Sequence, residues 1–140
     1  MKKFFLTLTL LLTSSLATAD IIKNQVEFLS PDEAFQPSIK IITDNHLEVT
    51  WNIKEGYYLY LGMFEFSVDN SNMKIIKVDM PEGKKKKDEF FGDVDVYYNS
   101  AKANIYFDII TSNSNLILKY QGCADAGLCY PPVTKKFPLE

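Results

Sequence analysis

Hydrophobic and polar residues alternate along most of this chain, in short runs separated by polar turns. Leu47, Val49, Trp51 and Ile53 alternate with Glu48, Thr50 and Asn52. That is the period of a strand with one buried face, and it aims Trp51 at a core. His46 is in phase with Glu48 and Thr50, so it is expected on the solvent face as an ordinary surface histidine. Further strands are predicted over Ser38 to Thr43, Tyr57 to Leu61, Phe64 to Val68, Met73 to Val78, Val94 to Tyr98, Ala103 to Ile109, Leu116 to Tyr120 and Val133 to Leu139. Val26 to Leu29 is a short apolar run before a turn at Ser30-Pro31-Asp32. Turns are expected at Asp69 to Asn72, Pro81-Glu82-Gly83 and Asn113 to Asn115. Lys84 to Lys87, four lysines in succession, reads as a solvated loop. The pattern predicts an all-β fold of eight or nine short strands spaced near ten residues apart. Two antiparallel sheets packed face to face, an immunoglobulin-like β-sandwich, bury such strands. A barrel would give the same pattern.

The first residues read differently. Lys2 and Lys3, the apolar run Phe4 to Leu12 and the small residues Ala17-Thr18-Ala19 predict a signal peptide over residues 1–19. The run is too short for the roughly 20 residues of a spanning helix. The mature domain is then expected over 20–140, in an exported, oxidising compartment where a disulfide is permitted. Loss of Lys2 and Lys3 moves the formal charge from −3 to −5. The chain contains no arginine, which argues against nucleic acid as a partner. One histidine and two cysteines argue against a dedicated metal site.

Both cysteines lie in Gly122-Cys123-Ala124-Asp125-Ala126-Gly127-Leu128-Cys129-Tyr130-Pro131-Pro132, with five residues between them. Gly127 can supply the positive φ of a tight reversal, and the two prolines fix the exit. A structural staple is the usual role of such a pair in an exported domain. Two features favour a redox switch: closing so short a loop removes little chain entropy, and its glycine and alanines shield the sulfurs poorly.

This segment resembles the active-site segment of the N-terminal periplasmic domain of DsbD-type thiol:disulfide interchange proteins. Glu55-Gly56-Tyr57-Tyr58-Leu59-Tyr60 and Asp88-Glu89-Phe90-Phe91-Gly92 resemble two further stretches of that domain, in the same order. The resemblance implies an immunoglobulin-like sandwich, a redox pair Cys123 and Cys129, and no cofactor. It implies that Asp88, Glu89, Phe90, Phe91 and Gly92 form a cap loop over the pair, with Phe90 as the shield and Phe91 beside it. It places Tyr58, Tyr60, Asp125 and Tyr130 around the cysteines. Carboxylates at Asp88, Glu89 and Asp125 would hold the reduced form as a thiol. The competing role of Tyr58 and Tyr60, which share one face, is core packing. The implied partners are thioredoxin-fold proteins: a reductant donor fed by a membrane electron carrier on a separate chain, and disulfide isomerase or cytochrome c maturation acceptors in the periplasm. The domain is expected to act as a monomer. The family motif has Tyr where this chain has Phe91, and the lysine run before the cap departs from the family.

A rival reading is a non-catalytic immunoglobulin-like binding or assembly module with a structural disulfide. A pilus-type chaperone domain is disfavoured by the missing arginine.

Overall fold

The computed structural model describes residues 26–140. The expected signal peptide, and the start of the expected mature domain, lie outside the described residues. Pro31–Ala34 forms a single helical turn, α1, with proline at its start and the Ser30 amide donating to the Glu33 carboxylate at 2.9 Å. Twelve strands follow: β1 (Phe35–Thr43), β2 (His46–Ile53), β3 (Tyr57–Tyr60), β4 (Glu65–Val68), β5 (Ile75–Asp79), β6 (Lys84–Asp88), β7 (Gly92–Tyr97), β8 (Ser100–Phe107), β9 (Ser114–Tyr120), β10 (Gly122–Ala124), β11 (Leu128–Cys129) and β12 (Val133–Leu139).

They pair antiparallel in the orders β1-β2-β8-β5, β11-β10-β3-β7-β6 and β12-β9-β4. The first and third sheets face each other across the core. Trp51 of β2 meets Phe66 of β4, Tyr120 of β9 and the neighbouring Phe64 with ring centroids 4.8–6.2 Å apart. Leu47, Val49 and Trp51 from β2 and Leu116, Leu118 and Tyr120 from β9 are fully buried. Alternation puts each set on one face, and the apolar surface so removed from water drives the assembly. The fold is the expected immunoglobulin-like β-sandwich.

The second sheet positions the chemistry, because its inner strands β3 and β10 are buried on both faces. Along β3, Tyr57 and Leu59 point into the main core, while Tyr58 and Tyr60 point the other way into a small cluster with Val96 and Cys123. A strand wet on one side would alternate; all four residues of β3 are buried.

Two expectations need correction. Lys84 to Lys87 is not a loop. With Asp88 it forms β6, paired with β7 in the register Lys84↔Val96, Lys86↔Val94, Asp88↔Gly92. Its lysines lie at the sheet's edge, where charged heads reach water and discourage pairing with another chain. His46 does share the outer face with Glu48 and Thr50, as expected, but it is half-buried there rather than an ordinary surface histidine: its ring stacks on Tyr106 at 4.5 Å and its Nε2 lies 2.9 Å from Asn104 Oδ1.

Candidate functional site: a disulfide beside a buried aspartate

Cys123 and Cys129 sit directly opposite each other on β10 and β11, with Cα atoms 4.1 Å apart, and form a disulfide. The reversal between them is closed by the Gly127 amide donating to the Ala124 carbonyl at 3.0 Å, with Gly127 at φ +101°. On the other side β10 pairs with β3, setting Cys123 opposite Tyr58. Gly122 makes this approach possible. A β-carbon there would strike the Tyr58 carbonyl and lie 2.6 Å from the Phe35 ring. Cys123 is fully buried; Cys129, at the edge of the sheet, is partly exposed.

Strand parity then collects the rest. Lys84, Lys86 and Asp88 of β6, Val94 and Val96 of β7, and Tyr58 and Tyr60 of β3 share one face with the cysteines. Tyr60 Oη lies 2.9 Å from Cys123 Sγ, 3.6 Å from Cys129 Sγ and 3.0 Å from Asp88 Oδ2. The Tyr58 hydroxyl also donates to Asp88 Oδ2. Asp88 Oδ1 accepts the amides of Phe90 and Phe91 at 2.8 and 2.9 Å, which folds Asp88 to Gly92 into a tight turn closed by Gly92 at φ +74°. Asp88 is thus a buried carboxylate with four donors. Burial pushes its pKa up, but the donors outweigh burial and hold it below the ordinary carboxylate value. The tyrosines respond oppositely. Burial first, together with the hydrogen bond to Asp88, pushes Tyr58 far up and Tyr60 up to about 12. Both phenols therefore keep their protons at neutral pH.

The two phenylalanines of this turn pack differently. The Phe91 ring packs edge-on against Tyr60 at 5.1 Å, while Phe90 is half exposed and makes no ring–ring contact among the described residues. The Glu89 carboxylate reaches across to Gly127: its Oε1 lies 3.6 Å from where a β-carbon would project. Asp125, in the turn between the cysteines, accepts Lys86 Nζ at 3.1 Å and the Tyr98 hydroxyl at 2.9 Å. Tyr130 is not brought to the sulfurs. It points to the opposite face, stacks with Tyr57 at 6.4 Å and packs in the main core.

Lys86 and Tyr98 were missed by sequence reasoning. Lys86 Nζ sits 4.7 Å over the Tyr58 ring. The signal was the parity of Lys84, Lys86 and Asp88, legible only once the lysine run is taken as a strand.

A family model described as "Thiol:disulfide interchange protein DsbD, N-terminal" matches residues 25–140. The chain belongs to the DsbD N-terminal family. It is 40% identical over 114 residues to thiol:disulfide interchange protein DsbD 1 of Pseudomonas aeruginosa, covering 81% of this chain and 19% of that one. It is 35% identical over 136 residues to DsbD of Escherichia coli K12, covering 96% of this chain and 24% of that one. The chain therefore spans about a fifth to a quarter of the length of these relatives. The crystal structure of the reduced Neisseria meningitidis DsbD N-terminal domain superposes with a TM-score of 0.71 at 32% identity, covering 80% of this chain and 89% of that domain. A second structure holds the DsbD N-terminal and PilB N-terminal domains of the same organism in complex; it superposes with a TM-score of 0.67, covering 80% of this chain and 87% of that one. No helix among the described residues of this DsbD-family domain is long and apolar enough to cross a membrane.

Proposed function

We propose that residues 20–140 form an exported thiol:disulfide exchange module, delivered to the periplasm by the signal peptide at 1–19. The module passes two electrons from a thioredoxin-like donor, itself supplied by a membrane electron carrier, to oxidised thioredoxin-fold proteins such as disulfide isomerases or cytochrome c maturation factors. The observation that carries this reading is the hydroxyl of Tyr60, set between Cys123 Sγ and Asp88. A disulfide serving only as a staple needs no hydrogen-bond acceptor at its sulfur; a pair that alternates between disulfide and dithiol gains one for its thiol.

In the reduced state the Cys129 thiolate attacks one sulfur of the acceptor disulfide. A mixed disulfide forms, and the acceptor's other sulfur leaves as a thiolate and takes a proton. The Cys123 thiolate then attacks Cys129 Sγ, closing the Cys123–Cys129 disulfide and releasing the acceptor's second thiolate. Two electrons and two protons reach the acceptor, and a donor dithiol restores the pair by the reverse sequence. Cys129 is the accessible sulfur and so makes the mixed disulfide; buried Cys123 resolves it. Between encounters the Cys123 thiol donates to Tyr60 Oη, which donates to Asp88. The Asp88 carboxylate disfavours a second negative charge nearby and keeps the sulfur protonated and slow to react. The turn Asp88 to Gly92, with Phe90 and Phe91, caps the site until a partner displaces it.

Roles are tested by mixing Cys123→Ser and Cys129→Ser variants with a purified, oxidised thioredoxin-fold disulfide isomerase on non-reducing gels. Cys123→Ser should accumulate a mixed disulfide and Cys129→Ser far less. Equal trapping by both contradicts the assignment.

A further inference from the structure

The turn that carries the disulfide is held by few bonds. β11 pairs with β10 over only two residues, and the reversal itself adds the Gly127 amide bond and the Asp125 amide donating to the Gly56 carbonyl at 2.8 Å. A third tie comes from the strand that ends in the cap. Lys86 stands two residues before Asp88 on β6 and on the same face. Its Nζ reaches Asp125 Oδ1 at 3.1 Å while lying 4.7 Å over the Tyr58 ring and 5.8 Å over the Tyr98 ring. The Tyr98 hydroxyl meets the same Asp125 oxygen at 2.9 Å. Two elements, β6 and the residue after β7, thus converge on one carboxylate oxygen of the cysteine turn. The lysine side chain is 25% exposed and the aspartate 43%, so the pair is only partly open to water.

We propose that Lys86 is a positioning residue: with Tyr98 it clamps the cysteine turn, through Asp125, to the hairpin that bears the cap, so that turn and cap hold the disulfide closed as one unit. The inference rests on the exchange reading given above. Attack on a disulfide needs an open line to one sulfur, and Cys123 has no exposed surface. A turn free to swing away from β6 would widen access to Cys129 even with the cap in place. The clamp slows adventitious reduction, and a docking partner that competes for Asp125 or Lys86 releases it.

The opposite charges of the two residues separate this role from a plain electrostatic one. An anionic thiolate attacking the disulfide would be helped by Lys86 and hindered by Asp125, so a field effect gives Lys86→Met and Asp125→Asn opposite signs. A clamp gives both the same sign. Tyr98→Phe removes a grip on Asp125 without altering any charge. The experiment is the rate of reduction of the oxidised domain by dithiothreitol at fixed pH and ionic strength, for these three variants, Lys86→Arg and the Lys86→Met/Asp125→Asn double variant. Lys86→Met, Asp125→Asn and Tyr98→Phe should each react about two- to fivefold faster, the size expected of a partly exposed ion pair or hydrogen bond. Lys86→Arg should retain the slow rate, and the double variant should be no faster than the faster single one, because both cut the same tie. Opposite signs for Lys86→Met and Asp125→Asn, multiplying effects in the double variant, or unchanged rates would each overturn the clamp. Exchange of the wild-type domain with a purified thioredoxin-fold protein is measured alongside. Its failure would remove the functional reading while leaving the reduction rates to decide the clamp.

Discussion

Tyr60 Oη lies 2.9 Å from Cys123 Sγ, and the same hydroxyl is 3.0 Å from Asp88 Oδ2. A phenol has one proton to give. With Asp88 ionised, that proton goes to the carboxylate, and the oxygen lone pairs face the sulfur. In the disulfide they meet no proton; in the dithiol they accept the Cys123 thiol. The chain Cys123, Tyr60, Asp88 therefore distinguishes the two redox states and joins the sulfur to the residue that folds the cap.

The first prediction concerns acid. Asp88 has its pKa lowered in the folded domain, so its hydrogen bonds contribute stability that is fully present above the ordinary carboxylate value near 3.9. That contribution is lost as pH falls from there through the lowered folded value. Reduction of the disulfide by a water-soluble phosphine, expressed relative to that of a small-molecule disulfide in the same buffer to cancel protonation of the phosphine, should be flat from neutral pH to about pH 4 and accelerate below it as the cap loosens. Asp88→Asn should remove that acceleration. An unchanged acid limb in the variant would detach Asp88 from the cap.

The cap aromatics should behave as a cover rather than as core. A fully buried Phe costs about 3–5 kcal/mol when cut to Ala. Phe90 and Phe91 are half exposed, so each substitution should cost about 1 kcal/mol or less in urea unfolding. Phe91→Ala, which removes the ring packed on Tyr60, should speed reduction by a small thiol more than Phe90→Ala does. A core-sized stability loss with an unchanged reduction rate would make either residue structural.

Gly122→Ala should be costly although it adds one methyl group. The new carbon would strike the Tyr58 carbonyl, the Phe35 ring and the Leu59 side chain at once, so β10 must move from β3. The expected loss is about 1–3 kcal/mol in urea unfolding, accompanied by altered reactivity because Cys123 shifts with the strand. A neutral outcome would mean that β10 is held less tightly than its contacts indicate.

The sandwich was legible because its strands obey one rule. Leu47 to Ile53, Leu116 to Tyr120 and Val133 to Leu139 alternate, and the structure makes strands of all three. The shared face of Tyr58 and Tyr60 followed from the same parity. Lys84 to Lys87 was illegible because four charges outweigh any pattern of period two, yet an edge strand can keep three of the ammonium groups in water and pair the fourth, Lys86, with Asp125. The depth of Asp88 was hidden for another reason. Two of its four donors come from Tyr58 and Tyr60, about 30 residues away in sequence, and only folding assembles them. Tyr130 misled by adjacency: next to Cys129 in sequence, it points to the opposite face.

The central claim, that Cys123–Cys129 is an exchange couple and not a staple, is tested most directly by its reduction potential. The oxidised domain is equilibrated in glutathione or dithiothreitol buffers of known poise, and the dithiol fraction is read by alkylation. Structural disulfides typically lie below about −300 mV, and exchange-active pairs lie higher. The account predicts a potential above about −300 mV, within reach of thioredoxin-fold partners. A value below that limit, with partner exchange unaffected in a Cys123→Ser/Cys129→Ser variant, would contradict it.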